Sequence, residues 1–424
     1  MISRRDFIGG GLLSSAALGW VSVSFGAEGD RIQKIPLKGA MFQRRNGQLV
    51  LMGRGIVASV SDDQGRTWSD PKPLMQGSAP VRSTGNVLGL LRLQSGRIAL
   101  CYGRTSDGAS ETDELLEGPS SAKTEREEIF FRTSGDEGAT WSDEISVTPM
   151  PGDELYAFHG SMVQLASGRI ILPAYTNFSH NYVGRPRGVG HGWLPEYCAT
   201  HMLYSDDEGK TWDHTGGLFM WKDMGQGGHV DCNEACVADT ADGRVLMLAR
   251  NSNMRVLRSY SRDGGKSWSL VEFSDLSTSD APVRLKRIPS TGDLLIVWNQ
   301  VTTDEHRNGY GRSRLSTAIS KDSGNTWQHF KNLEVSPGMS RAAKIYDPQP
   351  PQFARSGQYT KPDQIPNNSI RGMYRYSYSN VHFFNDQVYI DHDHFFRPNV
   401  WATKEQRREV YQKLHILPLD WLYS

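Results

Sequence analysis

Five copies of one octapeptide constrain this chain more than any other feature of its 424 residues. They are Ser61–Trp68 (SDDQGRTW), Ser134–Trp141 (SGDEGATW), Ser205–Trp212 (SDDEGKTW), Ser261–Trp268 (SRDGGKSW) and Ser320–Trp327 (SKDSGNTW). The frame is Ser-x-Asp-x-Gly-x-Thr/Ser-Trp. Recurrence at spacings of 56 to 73 residues is the signature of a repeat architecture.

Each conserved type in the frame has a physical use. Ser and Asp bond to nearby backbone amides and tighten a turn. Gly accepts backbone angles that other residues resist. Trp packs against a neighbouring strand. The octapeptide therefore reads as a clip between two strands. A calcium loop needs a bidentate acid at its far end, where this motif has Trp.

A second repeat runs with the first. Gly47–Gly53, Gly96–Tyr102, Gly168–Tyr175, Gly243–Arg250, Gly292–Trp298 and Asp386–Ile390 are short segments that follow a turn and are rich in strand-forming residues. With a strand before most of these segments and another before each octapeptide, the chain divides into six units of about four strands. Four-stranded sheets repeated around an axis make a β-propeller. The expected fold is all-β, a six-bladed propeller, with the sixth blade lacking an octapeptide. Closure is expected from Ile32–Leu37 or a C-terminal strand completing a blade begun by the other end.

Lys plus Arg equals Asp plus Glu, at 47 each, which argues against nucleic acid or a membrane surface as partner. The N-terminus carries Ser3-Arg4-Arg5-Asp6-Phe7-Ile8, an apolar small-residue run to Val23, and Ser24-Phe25-Gly26-Ala27. This reads as a twin-arginine-type signal over residues 1–27, ahead of one domain over 28–424, and implies export to a periplasm or beyond. The run is short for a membrane span. Cys101, Cys198, Cys232 and Cys236 are read as buried thiols rather than a zinc set. Ser336–Ser369, rich in Pro, Gln, Ser and Asn, is expected to be a long loop across one face. Glu405–Leu414 has helix-forming composition and is expected to be a terminal helix. His392 and His394 are read as hydrogen-bonded loop residues. No metal site and no cofactor are expected.

The segment from His229 to Asn251 puts a glutamate, Glu234, on an apolar strand and an arginine, Arg250, at the end of the next. Ionisable groups there are costly unless paired or functional. With these residues and the octapeptides, which are the Asp boxes of the sialidase family, the chain resembles sialidases over roughly residues 40–400. His159–Tyr175 also resembles the third-blade region of that family.

The resemblance implies an exo-glycosidase acting on glycans that end in sialic acid or a related acidic sugar. Three arginines would clamp the sugar carboxylate. A neutral tyrosine, polarised by a glutamate, would attack with overall retention, because a carboxylate nucleophile would be repelled by the substrate. A loop aspartate would act as acid and base. Carried over, Glu234 matches the activating glutamate, Arg250 the second arginine and Arg312 the third, with Arg314 as fallback. Tyr378 matches the nucleophile, with Tyr376 and Tyr374 as competitors on one face by strand alternation. The family's Arg-Ile-Pro motif is absent from its expected place, and Arg82 is the nearest equivalent. Asp107 fits the acid/base spacing, and Asp113 lies on the same acidic stretch. The competing reading is a non-catalytic propeller that binds glycans or a protein.

Overall fold

The turn-and-strand pattern resolves into six antiparallel sheets in the computed structural model, which describes residues 31–74, 86–105, 127–148, 155–157, 160–177, 198–215, 232–251, 253–351, 372–399 and 404–424. The segment read as an export signal lies outside these residues. Blade one holds Gly39–Gln43, Leu49–Gly53, Val57–Ser61 and Lys72–Pro73 in spatial order. Blade two runs Val87–Arg92, Ile98–Thr105, Glu127–Ser134 and Ile145–Ser146. In blade three, Leu155–Ala157 and Val163–Gln164 both pair with Ile170–Asn177, followed by Cys198–Ser205 and Asp213–His214. Blade four is Asn233–Asp239, Val245–Arg250, Arg255–Ser261 and Glu272–Ser277. Blade five is Arg284–Arg287, Leu294–Trp298, Arg314–Ser320 and Gln328–Val335. First strands pack against those of neighbouring blades, as blade one does on blades two and six. Second strands such as Leu294–Trp298 are buried throughout, because blades cover both of their faces.

Blade six closes the ring. Met373–Phe384, Gln387–Arg397 and Arg408–Pro418 come from the C-terminus, and Arg31–Ile35 adds the fourth strand, pairing Arg31 with Ile416 and Ile35 with Gln412. The octapeptides all join third to fourth strands. In blade six the third and fourth strands, Arg408–Pro418 and Arg31–Ile35, are not consecutive in the chain, which explains the missing sixth copy. The expected helix at Glu405–Leu414 is instead a turn followed by the strand Arg408–Pro418. The strand is paired on both sides, and these two ladders override helix propensity.

The octapeptide geometry repeats in all five copies. The serine hydroxyl donates to the aspartate at 2.7–2.9 Å and accepts from the glycine amide at 2.7–2.8 Å. The aspartate also accepts from the Thr/Ser amide. Hydrogen bonds from Thr67 hold the Asp63 carboxyl down to about 2. Each clip also packs onto the preceding blade. A Cβ on Gly209 would lie 2.0 Å from Phe131 of blade two, and Trp212 meets the same ring edge-on at 5.2 Å. Gly209→Ala is expected to cost about 2–4 kcal/mol, combining a φ of +86° with overpacking. Gly243, at φ +83° with nothing near its Cβ position, should cost only about 1 kcal/mol. Equal losses in urea melts of the two variants would refute the packing role.

The loop after blade five is laid down as expected over its described part. Ile345 N donates to Gln300 Oε1 at 2.8 Å, and Arg255 Nη2 donates to Asp347 O at 3.0 Å, tying the loop to blades five and four. A five-residue helix unforeseen in the sequence, Thr303–Arg307, sits between the second and third strands of blade five behind a capping box of Thr302 and Glu305.

Candidate active site

Two β-bulges build the site. In blade four the register of the first strand shifts between Asn233 and Cys236, and Glu234 takes φ +44°. In blade six it shifts between Ser377 and Asn380, and Tyr378 takes φ +56°. Positive φ is uncommon outside glycine and marks positions where surrounding structure imposes a strained angle. A bulge re-aims a side chain that pleat alternation would direct elsewhere. Tyr378 Oη donates to Glu234 Oε1 at 3.3 Å, across 144 positions of sequence.

Tyr378 is pinned through its neighbours. Arg284 Nε of blade five donates to Ser379 O at 3.0 Å, and the Asn380 amide donates to Gly39 O of blade one. Alternation would have put Tyr374, Tyr376 and Tyr378 on one face, but the bulge separates them. Tyr374 and Tyr376 remain stacked, with ring centroids 6.4 Å apart, and Tyr376 is buried in the core between blades five and six. Tyr376 is therefore a packing residue rather than a substrate contact.

The cations converge from three blades. Arg250 Nη1 donates to Glu234 Oε2 at 2.6 Å, and its Nε donates to Asp280 Oδ1 at 2.7 Å. Burial opposes its charge, but Asp280 and Glu234 outweigh burial and hold the guanidinium well above its usual pKa. Arg312 donates through Nε and Nη2 to Asp280 O at 3.2 and 2.8 Å, and lies 5.3 Å from the Tyr378 ring centroid. Asp280, not singled out in the sequence, thus holds two arginines, one by side chain and one by main chain.

Lys38, also unforeseen, places Nζ 4.5 Å from the same ring centroid while bonded to Asp393 at 2.9 Å. It immediately precedes the first strand of blade one. Its signal in the sequence was a cation just ahead of that strand, where the Arg-Ile-Pro motif was sought. Arg314, the fallback for Arg312, is fully buried and turned away, donating to Glu305, Gln300 O and Ser340 O. Arg82, Asp107 and Asp113 lie outside the described residues.

A family profile described as "BNR repeat-like domain" matches residues 55–390. Sialidase-3 of Homo sapiens is 30% identical over 217 residues, covering 49% of this chain and 47% of the relative. The chain belongs to the BNR-repeat family, as a divergent member of the sialidase superfamily. It spans about half the length of the curated relatives it matches. A protein of unknown function from Dyadobacter fermentans superposes with a TM-score of 0.56 at 16% identity, covering 92% of this chain and 100% of that one. The intramolecular trans-sialidase from Ruminococcus gnavus, in complex with oseltamivir carboxylate, superposes at 0.54 and 13% identity, covering 92% and 96%. These two likenesses carry the fold.

Beneath the site, this BNR-repeat propeller buries basic groups. His382 accepts from Met41 N through Nε2 at 3.3 Å. Burial, with Lys286 and Arg284 nearby, pushes its pKa down to about 3. An unfolded histidine titrates near ~6.5, so between there and pH 3 the unfolded chain binds a proton that the native state refuses. His382 therefore leaves stability intact above pH 6.5 and erodes it progressively on acidification. Asp391, pushed up to about 7 by burial, has the opposite sign. The diagnostic quantity is thus the difference between variants. His382→Gln should flatten the fall in Tm between pH 6.5 and 4, and parallel profiles would refute the assignment.

His392 and His394 lie on a strand of blade six, not in the expected loop. His392, His415 and Glu334 of blade five form a buried group whose ligand atoms lie within 4.8 Å of one another. Lys413 Nζ sits on the Glu334 oxygen that also meets His415 Nε2. A lysine ammonium already neutralises the carboxylate there, so the BNR-repeat propeller uses this group as a buried clasp between blades five and six. Of the cysteines, Cys101, Cys232 and Cys236 are buried, and burial pushes the Cys236 thiol up to about 11.

Proposed function

We propose that this chain is a retaining exo-glycosidase of sialidase type, acting on glycans that end in sialic acid or a related acidic sugar. The observation that carries this reading is the Tyr378–Glu234 hydrogen bond, formed by two bulged, positive-φ residues and surrounded by Lys38, Arg250 and Arg312.

In this reading the three cations bind the sugar carboxylate. Lys38 stands as a point charge where the family uses an arginine, so bidentate geometry is left to Arg250 and Arg312. Glu234 takes the phenolic proton as Tyr378 Oη attacks the anomeric carbon. The glycosidic C–O bond breaks, and its electron pair leaves on the departing oxygen. Asp107 or Asp113 protonates that oxygen. Water, deprotonated by the same aspartate, then attacks the anomeric carbon and breaks the tyrosyl C–O bond. The proton on Glu234 returns to the phenolate. Two inversions give retention. A neutral phenol approaches an anionic sugar without the repulsion a carboxylate would meet.

The test is hydrolysis of a sialoside followed by proton NMR. The first-formed sugar should have the anomeric configuration of the substrate. Release of the inverted anomer would overturn the tyrosyl mechanism, and no turnover of any acidic-sugar glycoside would overturn the enzyme reading.

A further inference from the structure

Beside the site lies a concentration of positive charge that, apart from Arg312, the proposed mechanism does not use. Its hub is Phe395, on the second strand of blade six. Arg375 is the cross-strand partner of Phe395, and Arg397, two residues on, pairs with Met373. Residues two apart on a strand share a face, and diagonal neighbours across a ladder are within reach of long side chains. Arg407 lies over the Phe395 ring, 4.6 Å from its centroid. Arg312 joins from blade five, its carbonyl accepting from Tyr376 N at 2.7 Å beside Arg375.

Charge around Arg375 is poorly balanced. Arg375 is 7% exposed; its Nη1 donates to Gly309 O at 3.1 Å, and its Nε has no acceptor among the described residues. Among the described residues no carboxylate lies within salt-bridge distance of Arg375, Arg407 or Arg312. Burial, together with Arg397, Arg312 and Arg407, pushes the Arg375 guanidinium well below its usual pKa. Among the described residues two acids stand nearby. Asp393 is taken by Lys38 and Gln412, at 2.9 and 2.6 Å, and Glu405 flanks Arg407 at the exposed edge. A buried cation without a counter-charge is expensive, and planar guanidinium groups are the side chains best shaped for oxyanions.

We propose that Arg375, Arg397 and Arg407 form, next to Arg312, a second anion subsite that receives a further sulfate, phosphate or carboxylate group carried by the same substrate. The substrate class is then a saccharide with two anionic groups, one bound by Lys38, Arg250 and Arg312 and one by this cluster. This deepens the glycosidase reading and rests on it for the identity of the substrate, but the anion site itself is measurable without turnover.

The experiment is calorimetric titration of the full chain with inorganic sulfate, inorganic phosphate and malonate, each against sodium chloride at equal ionic strength. It is run on wild type and on Arg407→Gln and Arg397→Gln, whose side chains are only partly buried. The expected result is saturable binding of at least one oxyanion, weakened about tenfold or more in both variants, with the preferred anion naming the group. In addition, kcat/KM for a sulfated or disialylated sialoside relative to a plain sialoside should fall about tenfold in Arg407→Gln. Heats equal to those of chloride would overturn the subsite, as would binding insensitive to both substitutions. Oxyanion binding lost in both variants, on a chain that hydrolyses no sialoside, would keep the subsite and sink the glycosidase reading.

Discussion

Tyr378→Phe should lower turnover of a fluorogenic sialoside by at least about 10³-fold while leaving the thermal midpoint almost unchanged. The substitution removes one oxygen from a half-buried ring. That oxygen makes a 3.3 Å hydrogen bond to Glu234, and the ring keeps Lys38 and Arg312 on its face. Packing is preserved, so a loss of rate without a loss of fold isolates the phenolic oxygen. Tyr376→Phe is the matched control. Its ring sits in the core between blades five and six, edge-on to His392 at 5.8 Å. Removing its hydroxyl should leave kcat within a few-fold. Turnover that survives Tyr378→Phe would remove Tyr378 as nucleophile, and the tyrosyl intermediate with it.

Arg250→Met should be the most destabilising substitution at the site. Arg250 is 2% exposed and neutralises Glu234 and Asp280 from opposite ends of one guanidinium. Methionine fills comparable space but leaves two carboxylates in a poorly solvated setting without their counter-charge. Breaking such a buried pair from one side costs on the order of 3–5 kcal/mol. Denaturant melts should show that loss. Adding Glu234→Gln should recover part of the stability, since one orphaned charge is gone, without recovering activity. This is the coupling expected of side chains in contact. A single variant as stable as wild type would mean the three groups are solvated and act independently.

Much of the propeller was legible because its signals are local. The Ser, Asp, Gly and Trp of each octapeptide bond within eight residues, so a turn written five times can be read five times. The second strands were legible as apolar runs bounded by turns. Arg408–Pro418 was not, because its helix-forming composition is overridden by pairing on both sides. Tyr376 and Tyr378 could not be ranked by alternation, because the bulge between Ser377 and Asn380 breaks the period on which that ranking depends. Lys38 and Asp280 were missed because neither carries a local motif. What distinguishes them is proximity to Tyr378 and Arg250, which lie far off in sequence.

The sequence by itself determined the number of blades, the clip that joins third to fourth strands, and the placement of Glu234 and Arg250 on neighbouring strands. All three follow from hydrogen bonding and burial over a few residues or one hairpin. Only the tertiary structure decided which tyrosine meets Glu234, which cations surround it, and that the missing sixth clip is the seam of the ring. Those depend on how blades four, five, six and one face a common axis. Ring closure sets that geometry by packing distant strands together, and no local pattern along the chain encodes it.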